Sequence, residues 1–218
     1  MDDRATAIAH HFSNRYQQEE RQIMTHPLRC HCGKLTGTLK RTKDVNRCVC
    51  YCADCQAFAR FLKREDDILD RIGGTSIIQT LPKHVNFLTG TEHLACIRLT
   101  ENGLLRWYAA CCNTPIGNTP SNSKLHFIGL IHNYLSSDRV SLDDAFGTIR
   151  MHVSTQSAIG EPKPKSIGLL AGTLRVMVMV IRSRLDGSYK TNPFFIPGTG
   201  TPIVTPKVLN QDLKASSQ

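Results

Sequence analysis

Long apolar runs are missing from this 218-residue chain. The longest, Ile167 to Ile181, is shorter than the ~20 residues a membrane-spanning helix needs, and it carries Arg175. No segment therefore reads as a membrane anchor. The opening stretch MDDRATAIAHHF lacks the basic and apolar regions of a secretory signal, so a cytoplasmic setting in which thiols stay reduced is expected. Aromatic residues are few, 6% of the chain, and are not interleaved with the basic ones. That argues against a stacking platform for nucleic acid, although the net charge of +9 favours anionic partners in general. The excess is visible in residues 161–218, where eight Lys and Arg face three Asp and Glu. No histidine pair has ligand spacing, and Gly73-Gly74 precedes no helix, so it reads as a turn and not as a phosphate loop.

What the chain does have is cysteine. Nine are present, an odd number, with six between Cys30 and Cys55, Cys96 alone, the pair Cys111-Cys112, and none beyond. In a reducing compartment such clusters point to metal before disulfides. Cys96, within LACIRL, reads as a buried core thiol.

The pattern between Leu28 and Met151 is mostly β. KLTGTLK alternates, SIIQT, VNFLTG and LACIRL are short β-rich runs, and the Asn-Gly of TENG marks a hairpin leading into LLRWYA. KLHFIGLIHNYL supplies another strand. DCQAFARFLKRE has the spacing of a short helix, with Asp54 placed to cap it, and SLDDAFG that of a further turn capped by Ser141. These readings give three regions: a polar, helix-prone extension over 1–23, a β domain over 24–153, and, over 154–218, a linker, a helix and an extended tail. Ile167, Leu170, Ala171, Leu174, Met177, Val178, Ile181 and Leu185 recur at helical spacing and define an amphipathic helix over about 166–186, stopped near Gly187. Its apolar face is expected to pack on the β domain, or else to pair two copies of the chain. The Pro-rich tail NPFFIPGTGTPIVTPKVLN is expected to be extended and on the surface.

Two cysteine constellations carry chemistry. In Cys50-Tyr51-Cys52-Ala53-Asp54-Cys55, two thiols two apart on a strand face one way, and a turn brings the third round to meet them. Three converging thiolates leave a tetrahedral zinc with an open position, as in catalytic sites. Cys48 would either close the site as a fourth ligand or stand apart as a core thiol. The second is favoured, because a C-x-C-x-C run on one strand spreads its ends roughly 13 Å. The other constellation sets Cys30 and Cys32, in the knuckle Cys30-His31-Cys32-Gly33, against Cys111-Cys112. Vicinal cysteines on a regular strand point oppositely, so Cys112 is the surer ligand there. A closed site of this kind contributes ~10–16 kcal/mol of apparent binding energy in zinc-finger peptides.

RCHCGKLTG, CVCYCADCQ and RWYAACCNTPIGN, in that order, resemble the glutathione-dependent formaldehyde-activating enzyme family, also called the CENP-V/GFA domain. The likeness runs from Leu28 to about Asn118. It implies a zinc-containing fold of coiled β-sheets, the β-tent. It also implies a structural zinc on Cys30, Cys32 and Cys112, and a catalytic zinc on Cys50, Cys52 and Cys55. The family's pattern has a further cysteine where this chain has Ala109; either Cys111 substitutes for it, or three cysteines hold the ion with water or His31 completing the set, or the site is empty. The implied activity is that of a carbon–sulfur lyase joining a small anionic thiol such as glutathione to an aldehyde. Lys34, Arg60, Lys63 and Arg64 are near enough in sequence to bind the carboxylates of such a thiol.

Overall fold

In a computed structural model of the chain, residues 25–40, 45–135 and 140–209 are described; the extension expected over 1–23 lies outside the described residues. The chain is mainly β. A small antiparallel sheet has the order β1 (Thr25–Arg29), β2 (Thr36–Lys40), β5 (Val85–Thr89). A large sheet has the order β10 (Met151–Val153), β3 (Asn46–Cys50), β4 (Thr75–Thr80), β9 (Ile128–Ile131), β8 (Thr114–Thr119), β7 (Leu105–Ala109), β6 (Leu94–Arg98), β11 (Lys207–Val208). Among the described residues the α-helices are α1 (Ala53–Leu62), α2 (Glu65–Ile68), α3 (Leu142–Phe146) and α4 (Leu169–Leu185).

The local sequence accounts for these elements. β1 alternates, with His26 and Leu28 inward, as a strand with one solvated face should. β8 and β9 lie inside the large sheet and are buried on both faces. Pro115 is tolerated there because β8 slips register against β7 between Trp107 and Tyr108. Gly117 is required by the close approach of β9: a Cβ on it would lie 2.6 Å from the carbonyl oxygen of Gly129. The β6–β7 hairpin turns at Thr100–Gly103, where TENG predicts it. In α1, Cys55, Phe58, Ala59 and Leu62 face inward at helical spacing. The helix stops at Lys63 in the left-handed conformation, whose N–H caps Ala59 and Arg60. Ser141 caps α3, as expected, by accepting from the Asp144 N–H.

Two expectations about the C-terminal third are corrected. The tail lies mostly on the surface, as expected, but not throughout. Phe194 and Phe195 are buried, with the Phe194 ring 5.1 Å from that of Trp107 and 5.4 Å from that of Phe87, and Lys207–Val208 adds a parallel strand to β6. Proline and glycine break the pattern around the two phenylalanines, yet burying each is worth about 1.5–3 kcal/mol. The second correction concerns α4, whose range matches expectation while its orientation does not. Gly172, Met179 and Ser183 are the residues it buries, and the broad apolar stripe faces outward. Gly172 allows this seating, because a Cβ there would be 2.5 Å from the Met151 sulfur.

Candidate metal centres

The end of β3 and the first turn of α1 bring three sulfurs together. Cys50 ends the strand, Cys52 caps the helix with its Sγ accepting from the Cys55 N–H at 3.4 Å, and Cys55 points inward from the first turn. The helix therefore starts on Cys52, and Asp54 is left free for another partner. The Sγ atoms of Cys50, Cys52 and Cys55 all lie within 4.8 Å of one another, and Cys48 does not join them. Cys48 is buried with Cys55, Ile77 and Met151. Gln56 secures the junction by donating to the carbonyls of Tyr51 at 2.9 Å and Ser157 at 2.8 Å.

The trio shares protons unevenly. Hydrogen bonds from Cys50 and Cys55 pull the Cys52 thiol down to about 2, with the positive charge of Arg106 adding to the effect. The bond to Cys52 holds Cys50 as a thiol, pushed up to about 12, and bonds to Cys50 and Cys52 raise Cys55 likewise. Without metal this is one thiolate cradled by two thiols.

The three sulfurs open on a cavity of about 440 Å³. Its apolar wall includes Ile77, Leu104, Phe127 and Val153, and its polar groups are Gln79, Asn118, Asp54 and Arg106. Arg106, 2% exposed, is the residue that sequence reasoning misses. It reaches Asn118 Oδ1 at 3.3 Å and Asp54 Oδ2 at 3.4 Å, and lies over the Phe58 ring. Those two bonds are long, and a guanidinium offers five N–H donors, so donor capacity is left for a guest. Lys34, Arg60, Lys63 and Arg64 do not line this cavity. Arg64 instead donates to the carbonyl of Cys112 at 3.0 Å and pairs with Asp67.

The second cluster joins the two sheets. Cys30 and Cys32 follow β1 of the small sheet; Cys111 and Cys112 occupy the turn between β7 and β8 of the large one. All four sulfurs lie within 4.8 Å of one another, among them Cys32–Cys111 at 3.3 Å, Cys30–Cys32 at 3.7 Å, and Cys30–Cys111 and Cys111–Cys112 at 3.8 Å. These are far beyond a disulfide's ~2.05 Å, and all nine cysteines are free. The objection to Cys111 fails because the pair sits in a turn, with Asn113 at φ 53°, and not on a strand. Ala109, in contrast, is fully buried at the end of β7. Backbone donors tune the sulfurs, the Leu35 N–H reaching Cys30 Sγ at 3.3 Å. Burial pushes the Cys112 thiol up, but hydrogen bonds from Thr114 and Cys32 outweigh it and bring it down to about 6. Burial raises Cys30 and Cys111. Each cluster could hold a metal ion, and among the described residues no histidine or carboxylate joins either one.

A family model spans residues 23–198, from just before β1 to past α4, and so takes in both clusters and the cavity. The chain belongs to the family of unknown function DUF6151. No curated protein matches the sequence. Among solved structures, a crystal structure of a Rhodobacter sphaeroides protein is 16% identical, covering 56% of this chain and 96% of its own, with a TM-score of 0.38. Among the described residues no helix is long and apolar enough to cross a membrane.

Proposed function

We propose that this DUF6151 chain is a zinc protein of the glutathione-dependent formaldehyde-activating type, its two sheets forming a β-tent. In this reading it catalyses reversible carbon–sulfur bond formation between a small anionic thiol and an aldehyde. The observation that carries the reading is three convergent sulfurs, not four, on the wall of a cavity that also holds a buried arginine.

The donor sets suit zinc. Thiolates around a tetrahedral zinc at a Zn–S distance of about 2.3 Å stand about 3.8 Å apart; in the four-cysteine cluster Cys30, Cys32 and Cys111 are 3.3–3.8 Å from one another, Cys112 is 3.8 Å from Cys111, and all four sulfurs lie within 4.8 Å. That cluster is complete without a guest and serves as a brace between the sheets. The three-cysteine centre has room for one more ligand, because Cys48 lies outside the set. Cys50, Cys52 and Cys55 would hold the zinc, which would supply a soft position for a fourth sulfur and favour its thiolate form near neutral pH.

The chain's own residues do the rest. Arg106 holds the carboxylate of the thiol, a charge-assisted bond worth ~1.5–3 kcal/mol. Its charge also offsets the net negative charge of three thiolates on a divalent ion. Ile77, Leu104 and Phe127 give the cavity an apolar wall, which strengthens each polar contact beside it. The bond formed joins the thiol sulfur to the carbonyl carbon, and the thiol proton ends on the former carbonyl oxygen. Asp54, the carboxylate on the cavity wall, carries that proton. A closed, non-catalytic centre would need the Cys48 sulfur among the ligands.

The test is exchange of formaldehyde with glutathione followed by NMR line shape. The wild type should speed exchange above the buffer rate, and Cys52→Ser should return it to that rate while the fold is kept. Exchange at the buffer rate with zinc-loaded wild type would overturn the proposal.

A further inference from the structure

The outward face of α4 carries an exposed apolar stripe. Leu170, Leu174, Met177, Val178, Ile181 and Leu185 are 84%, 57%, 51%, 37%, 51% and 83% exposed. Leu170, Leu174, Val178, Ile181 and Leu185 follow one another at three or four residues, with Met177 beside Val178, so the six side chains share one face of the helix. The helix buries Gly172, Met179 and Ser183 on one side and carries this stripe on the other, with Arg175, Arg182 and Arg184 exposed beside it.

We infer that α4 pairs with α4 of a second copy of the chain, antiparallel about a two-fold axis near the middle of the helix. Area supports it. The six side chains expose roughly 650 Å², close to the ~800 Å² per partner of a standard interface and more than the ~300–600 Å² of a typical monomer's largest patch. Length supports it too, since 17 residues span about 25 Å and allow both ends of the stripe to be covered.

Charge selects the orientation. Arg182 and Arg184 lie in the last turn, while Leu169 to Leu174 carries no charge. In a parallel pair the two arginines would lie beside their own copies. In an antiparallel pair they lie across from the uncharged first turns, and the Leu170 end meets the Ile181–Leu185 end of the other helix. A two-fold axis makes one stripe complementary to itself, which is the usual way homodimers close.

Sedimentation equilibrium on the full chain tests this. The wild type should run at twice the 24.3 kDa chain mass at micromolar concentration. Leu174→Glu with Ile181→Glu, both exposed in the single chain, should run at the chain mass with an unchanged far-ultraviolet spectrum, a weakening of ~100-fold or more. If the glutamates disturb folding, Leu174→Ser with Ile181→Ser is read in the same way. A monomeric wild type would overturn the inference, as would a dimer that survives the substitutions. A wild-type monomer that instead sediments with anionic phospholipid vesicles would also overturn it, and would assign the stripe to a membrane surface.

Discussion

Loading the three-cysteine centre should expel two protons per metal ion. In the metal-free protein Cys52 is already a thiolate at neutral pH, being pulled down to about 2 by its bonds from Cys50 and Cys55. Cys50, pushed up to about 12 by its bond to Cys52, and Cys55, raised in the same way, are still thiols. A metal needs all three as thiolates. Across the window from well above pH 2 to well below pH 12, each ion bound must therefore displace two protons. The sign follows: acid competes with metal, and affinity rises with pH. One proton is worth 1.36 kcal/mol per pH unit, so two give about 2.7 kcal/mol per unit. Between pH 6 and pH 7.5 the apparent affinity should rise by about three decades, ~4 kcal/mol. The assay is calorimetric titration with zinc in buffers of different ionisation enthalpy, which counts released protons directly. Running Cys52→Ser beside the wild type isolates this centre from the four-cysteine one. A difference of two protons is expected. Three would mean that no thiolate is held ready in the trio, and one or none would mean that Cys50 and Cys55 do not both become ligands.

Cys48→Ala should leave zinc stoichiometry unchanged and cost about 1 kcal/mol from a small core cavity, read as a modest fall in Tm; loss of one equivalent would make Cys48 a ligand. Arg106→Met should keep both metals but weaken binding of glutathione relative to mercaptoethanol, an uncharged thiol, by ~10–100-fold, measured by competition for the cobalt-loaded centre. Cys111→Ser should remove the second equivalent and lower Tm sharply, because that cluster ties the small sheet to the large one. Burial pushes the Cys96 thiol up to about 12. On raising the pH the unfolded chain loses this proton first, so stability falls from about pH 9 to pH 12 at up to 1.36 kcal/mol per unit. Cys96→Ala should remove that part of the alkaline slope in urea titrations.

The cysteine clusters were readable because the chemistry resides in the residue type and a short spacing decides the geometry. Cys50, Cys52 and Cys55 needed only a strand end and a helix start, both local. Cys111 was harder. The rule that neighbours on a strand point apart is sound, but the chain is turning there, and the turn is signalled only weakly by Asn113. Arg106 was hidden by its setting. In LLRWYA a charged residue between two large apolar ones reads as the solvated side of a strand, and nothing local reveals that the strand is covered on both faces. Phe194 and Phe195 were obscured by the prolines and glycines around them, which determine backbone shape and not burial. For α4, periodicity located the apolar stripe to within a few residues but carries no information about which neighbour covers it. Here a small edge, built round Gly172, won the contact with the domain.

X-ray absorption at the zinc edge, with metal analysis, tests the central claim most directly. Two zinc ions per chain are predicted, with an average of about 3.5 sulfurs per zinc in the resting protein, rising to about 4 when glutathione is added. Four sulfurs per zinc before any thiol is present, or a single zinc whose sulfur shell ignores the thiol, would contradict the account.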